Sequence, residues 1–305
     1  MVHILNILLD ISEQGLIYGI MVLGLMISYK ILNFPDLSVD GTFPFGAAVA
    51  AVSISHGINP WVALLLALGA GFAAGLITGI LNVKLNISNL LSGIIVMTGL
   101  YSLNLLIAGQ ANLPIFNVST IFNSGPVLLI PDKIGAFRLR VFILSLILIL
   151  VIKFMLDYFL KTRAGGLLRA TGDNQQVVVG AARNPGTVKI LGLGIANALV
   201  ALSGAVLAQQ QGFFEVSMGT GQMVAGLASV IIGVVAFTKF KHKPRLTTQV
   251  IIGSVVYKAL ISIAINLGLN ANYLKLIQAI LFLVILLISF LMDKEARHAT
   301  ASARE

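Results

Sequence analysis

The sequence predicts an all-α integral membrane fold of about nine transmembrane helices. Three observations predict it. Of 305 residues, 58% are hydrophobic and 10% charged, and the mean hydropathy is +0.99, so water is not the main solvent of this chain. Long apolar runs recur: Ile190 to Ala208 carries no charge and Tyr273 to Met292 carries only Lys275 near its start, lengths that cross about 30 Å of hydrocarbon. The residues behind the formal charge of +9 cluster beside apolar runs instead of alternating with aromatics on a polar surface. That pattern argues for membrane topology and lipid surroundings, and against a nucleic-acid partner.

Reading apolar runs between polar breaks gives spans at about 14–32, 40–55, 60–81, 90–108, 140–160, 190–208, 223–238, 247–268 and 273–292. Asp10 and Glu13 precede the first run and no basic segment leads it, so it is read as a retained span and not as a cleaved signal. The second run is the shortest, with only about 16 residues between Asp40 and His56, which fits either a full crossing or a half-helix that starts inside the membrane.

Lysine and arginine orient these spans. The segment 161–189 holds Lys161, Arg163, Arg169, Arg183 and Lys189, and the loop 239–245 holds Lys239, Lys241, Lys243 and Arg245. An even number of crossings separates them, so both fall on the cytoplasmic side, together with the tail 293–305 carrying Lys294, Arg297 and Arg304. The N-terminus and the loop 109–140 then lie outside, although Lys133, Arg138 and Arg140 in that loop count against this orientation.

Shifting the chain by 179 residues lays Phe34-Pro35-Asp36-Leu37-Ser38 on Phe213-Phe214-Glu215-Val216-Ser217. The same shift lays spans one to four on six to nine. The expected organisation is a single transmembrane domain in a four-plus-one-plus-four inverted repeat: 13–108, a connector helix at 140–160, the cytoplasmic segment 161–189, and 190–292.

Two stretches are placed to interrupt helices. In Asn33 to Gly46, Pro35 and Pro44 remove backbone donors and Gly41 weakens helical structure, so exposed backbone there must line a cavity or be buried in protein. Asp36 and Asp40 then face a cavity where a carboxylate attracts a cation such as an ammonium group; the alternative is that Asp36 and Ser38 cap the next helix. The counterpart, Gln209 to Gln222, holds four glutamines, Phe213, Glu215, Ser217 and three glycines between two apolar spans, and reads either as a re-entrant segment or as a plain polar loop. Lys258 is an isolated charge near the middle of the eighth span, set to pair with a carboxylate or to snorkel. Lys153 and Asp157, four apart, pair on one helix face.

The segment 161–189 is too long for a tight turn and accommodates a short amphipathic helix with a turn at Gly172 to Asn174. It reads as a docking site for a soluble partner or as a merely topogenic loop. With no cysteine, disulfides, thiolate metal sites and cysteine nucleophiles are excluded. There is no phosphate loop, HExxH zinc motif or GxSxG elbow, and His3, His56, His242 and His298 are scattered. No enzymatic activity, metal or cofactor is expected.

The run Arg169-Ala170-Thr171-Gly172-Asp173-Asn174, followed by a short helix and Asn184, resembles the coupling segment of ABC importer permeases of the branched-chain amino acid and ribose superfamily. The resemblance covers nearly the whole chain. The stretches ILNFPDLSVDGTFPFGAA and ANALVALSGAVLAQQQGFFEVSMGTGQMVAGLASVIIG are most similar to the subgroup for tryptophan and tyrosine uptake. It implies a homodimeric permease in a bacterial inner membrane, separate ATPase subunits at the cytoplasmic loops, and an extracytoplasmic solute-binding protein docking opposite.

In that family the loop from Arg169 to Asn184 receives the ATPase's motion, and the breaks at Asp36 and Glu215 flank the translocation path. Here Val178 and Ala182 stand where alanine and glycine are usual, and Gln175 and Gln176 replace common acids. The rival reading is an ion-coupled secondary transporter using Asp36, Glu215 and Lys258; a passive channel lacks a selectivity ring.

Overall fold

The computed structural model describes residues 2–129, 133–134, 137–238, 240, 242–266 and 273–302. Helix α1 (Val2–Leu25) runs into a π-helical turn, Met26–Ile31. The chain then leaves helical structure through Asn33, whose φ of +50° is a left-handed conformation that asparagine tolerates better than most side chains. α2 (Val39–Ser55) contains Pro44, which withholds the donor that would bond the Asp40 carbonyl. α3 (Pro60–Val83) opens on Asn59, whose side chain accepts from Trp61 N at 2.9 Å, with Pro60 at the first position. α4 (Asn89–Ala108) opens on Ser88 and stops at Gly109, φ +70°.

The connection onward contains strands β1 (Asn112–Pro114), β2 (Lys133–Ile134) and β3 (Phe137–Arg138), the last two paired with each other. α5 (Arg140–Lys161) leads to two short helices, α6 (Arg163–Asp173) and α7 (Gln175–Gly180). α8 (Pro185–Gln211) is followed by β4 (Phe213–Glu215), a 3-10 turn at Val216–Gly219 and α9 (Gln222–Ala236). α10 (Leu246–Asn266) and α11 (Leu274–Ser302) complete the described chain. Among the described residues, eight helical segments are long and apolar enough to cross a membrane, and α2, at 17 residues, is a shorter ninth. The spans read from the apolar runs match these helices in order.

Two helices form the centre. Of the eight long spans, α1 and α8 are the most buried; α2 and α3 pack on α8, while α5 and α10 pack on α1. In lipid, close van der Waals approach takes the place of a hydrophobic drive between helices, so small residues mark the contacts. Gly71, Gly75 and Gly79 form a stripe on α3, where a Cβ would run into Ala201 and Asn197, Leu193 and Ile190 of α8 respectively. Gly46 of α2 abuts the Ala201 carbonyl, and Gly204 of α8 abuts the Phe43 carbonyl.

The two basic loops lie on one face. Asp157, near the end of α5, accepts from Lys153 at 2.9 Å, from Arg245 at 3.0 Å and from the Thr247 hydroxyl at 2.7 Å. This ties the end of α5 to the start of α10, so the predicted pair Lys153–Asp157 belongs to a larger cluster. Lys239 and Lys241, and Arg304 in the tail, lie outside the described residues. Among the described residues Lys258 makes no ion pair; its Nζ sits 3.2 Å above the Tyr18 ring, a cation–π contact inside the bundle.

Candidate functional site

The first interruption is closed off inside protein. Asp36 Oδ1 accepts from Ser38 N at 2.9 Å and from the Ser38 hydroxyl at 2.6 Å, and Asp36 Oδ2 accepts from Asn197 Nδ2 at 2.7 Å. The Ser38 hydroxyl also lies 3.1 Å from Asn197 Oδ1. All three residues are fully buried. Asn197 stands twelve residues beyond Pro185, about 18 Å along α8, so this cluster is well inside the bundle. The capping alternative takes a different form from the one expected: Ser38 occupies the position before α2 but its side chain makes no capping bond, and Asp36 instead folds back on Ser38 in an Asx-type turn. Asn197 was missed by sequence reasoning, although the lone asparagine in an uncharged run of 19 residues is a signal of interhelical bonding.

The second interruption begins as a strand. β4 pairs antiparallel with β1, Asn112 opposite Glu215 and Pro114 opposite Phe213, and the Phe213 ring lies 6.4 Å from Phe116. The Glu215 carboxylate accepts from the Ser217 hydroxyl at 2.5 Å, the same acid-to-serine spacing as Asp36 and Ser38. Gln209 is structural: its Oε1 accepts from Ile121 N at 2.9 Å.

From the strand the chain descends along α2. Phe214 packs among Ala47, Ala48 and Ala51, whereas Gly219 lies against the Asp40 carbonyl and Pro44, a descent of about 12 Å at the helical rise. α9, of 15 residues, therefore starts below the ribbon, and it reaches the length of a crossing only together with the 3-10 turn before it, as the 21-residue stretch Val216–Ala236.

Asp40 joins the two interruptions. It lies in the first turn of α2, yet its carboxylate accepts from Gly221 N at 2.9 Å and Met223 N at 2.7 Å, at the start of α9. One negative charge thus meets the positive ends of two helices, the arrangement that macrodipoles favour. Beside it a cleft of about 360 Å³ is lined by Asp40, Thr98, Tyr101, Asn104 and Thr220. Asn104 Nδ2 donates to the Gly41 carbonyl at 3.2 Å, while its buried Oδ1 has no hydrogen-bond partner. The structure therefore separates the predicted residues: Asp36 and Ser38 are enclosed, Asp40 lines a cleft, and Phe213, Glu215 and Ser217 belong to the ribbon and its turn. Asp36, Glu215 and Lys258 each bond within a different set of neighbours.

On the basic face, the break expected at Gly172 to Asn174 falls on its last residue, Asn174, while Gly172 and Asp173 remain helical. α6 extends through Asp173, and Asn174 caps α7 by accepting from Gln176 N at 2.9 Å. Arg169 donates to the Leu160 carbonyl, and Ala170 and the exposed Asp173 lie on the same helix. Gly172 is pressed against the Ile31 carbonyl, and its own carbonyl accepts from Asn33 Nδ2 at 3.0 Å. Asn184 caps α8 through Gly186 N at 2.8 Å. Val178 is buried, while Val177 and Val179 are 59% and 61% exposed. Ala182 adopts φ +54°, which explains why glycine suits this position.

Residues 7–289 match the family described as branched-chain amino acid transport system, permease component. The chain belongs to this permease family. Across 92% of its length the permease is 44% identical to the tyrosine transport system permease protein of Clostridioides difficile (strain R20291), covering 90% of that relative. It is 33% identical to the uncharacterized protein RP368 of Rickettsia prowazekii (strain Madrid E), over 92% of this chain and 96% of the relative. It is 23% identical to the ribose import permease protein RbsC of Escherichia coli (strain K12), over 93% and 85% respectively. No solved structure gives a significant match. The permease is thus a multi-pass membrane protein of a transport family and not of an enzyme family.

Proposed function

We propose that this permease is the transmembrane subunit of an ABC importer for an amino acid, an aromatic one, in a bacterial inner membrane. Two copies form the translocation unit, ATPase subunits bind the basic face, and an extracytoplasmic binding protein delivers the solute opposite. The observation that carries this reading is the join between α7 and the first interruption. A short helix with two exposed valines offers an apolar contact on a charged face, and its neighbour α6 is bonded through Gly172 to Asn33, three residues before Asp36. A push on α6 and α7 therefore reaches the break between α1 and α2 through one hydrogen bond and one backbone contact.

The solute path in this reading runs past the Asp40 cleft, where the Asp40 carboxylate and the free Asn104 Oδ1 offer acceptors to an ammonium group. The paired acid–serine bonds at Asp36 and Glu215, and the meeting of α2 and α9 at Asp40, support an inverted repeat. The substrate class rests on the identity with the tyrosine permease.

The test is reconstitution with the candidate ATPase and binding protein. The expected result is a stoichiometric complex whose ATP hydrolysis rises with binding protein carrying tyrosine or tryptophan, and whose uptake is uncoupled when Gly172 to Asn174 are replaced by a flexible linker. A chain that stays alone and takes up solute from an ion gradient would establish the secondary transporter instead.

A further inference from the structure

A second, larger cavity lies away from the Asp40 cleft and shares no residue with it. It is a groove of about 630 Å³ between α3, α5, α6 and α8, at the basic face. Its inner wall is apolar, made by Phe72, Leu168, Leu191 and Ile195, and Arg163 and Arg183 stand in its lining. Both arginines are exposed, at the start of α6 and just before α8, and among the described residues neither guanidinium has a hydrogen-bond or ion-pair partner.

Arginine is suited to phosphate by its planar fork of donors, and basic pockets between transmembrane helices at the cytoplasmic side hold anionic lipid head groups. A free phosphate would leave the apolar wall uncovered, whereas acyl chains would fill it. The amphipathic α6, with Leu168 buried and Arg163 and Arg169 outward, closes the groove from the aqueous side. We propose that this groove binds one anionic phospholipid per chain, its phosphate between Arg163 and Arg183 and its acyl chains against α3 and α8.

The lipid belongs to the coupling region by position. Ala182, Arg183 and Asn184 line the groove and lead directly into α8, and Gly192 of α8 packs on Leu32 and Leu168. An occupied groove would hold α6 against α8 and so keep the α7 surface in place.

The test uses the full-length chain, reconstituted in nanodiscs of equal parts phosphatidylglycerol and phosphatidylcholine, released into mild detergent, and weighed by native mass spectrometry. Phosphatidylglycerol should be retained over phosphatidylcholine. Retention should fall about fivefold in Arg163→Gln or Arg183→Gln and about 25-fold in the double variant, and should return in Arg163→Lys/Arg183→Lys, which keeps the charge. A matching gel-filtration profile for all variants guards against misfolding. Equal retention of the two lipids, or a double variant that holds phosphatidylglycerol as the parent does, would overturn the proposal. Displacement of the lipid by an added ATPase subunit would assign the arginines to a protein interface and overturn it too.

Discussion

Asn197 holds the buried carboxylate of Asp36 from across the bundle, and its removal leaves that group with fewer donors than a charge of its burial requires. Asn197→Ala is expected to lower stability by about 1.5–3 kcal/mol, the usual cost of a lost bond to a charged group, read as a lower midpoint of thermal unfolding in detergent. An unchanged midpoint would mean that the cluster is not a structural support. Ala182 gives the opposite sign. Its left-handed backbone costs a side chain about 1 kcal/mol that glycine does not pay, so Ala182→Gly is expected to raise the same midpoint. A fall would show that the alanine methyl makes a contact outweighing the strain.

At the scale of the element, the glycine stripe of α3 is a one-sided surface. Gly71 faces α8 with no room for a Cβ, whereas Gly69 has nothing within 4 Å of where its Cβ would be. Gly71→Leu is expected to abolish the monodisperse gel-filtration peak, and Gly69→Leu to leave it intact; equal behaviour would refute the packing of α3 on α8. The helices themselves were legible in the sequence, since hydrocarbon demands unbroken apolar runs and these end at polar residues such as Asn59 and Asn184, which cap the next helix. The acid–serine spacing at Asp36 and Glu215 was also legible. What was not legible is long-range: Asn197 reaching Asp36, Asp40 reaching α9, and β1 pairing with β4 all join residues far apart in the chain, and no local period encodes them. For the same reason the break expected at Gly172 to Asn174 comes only at Asn174, because contact with Ile31 and Asn33 holds Gly172 in the helix despite glycine's weak helical preference.

For the molecule as a whole, the exposed valines of α7 set an assembly prediction. Val177→Asp/Val179→Asp changes only outward side chains, so the chain should fold as before while an ATPase subunit no longer co-purifies with it. Undiminished co-purification would move the docking surface elsewhere.

The carboxylate of Asp40 has a consequence for time. It closes the starts of two helices, so any excursion that parts α9 from α2 by about an ångström breaks both bonds together. At about 1.5–3 kcal/mol each, that makes such excursions at least about a hundredfold rarer than in a chain with alanine there, since each 1.4 kcal/mol is a factor of ten. Hydrogen–deuterium exchange at the amides of Gly221 and Met223 reads this as fast exchange in Asp40→Ala and slow exchange in the parent. One side chain then acts as the clock of the bundle, setting how long it dwells in one shape before it visits another.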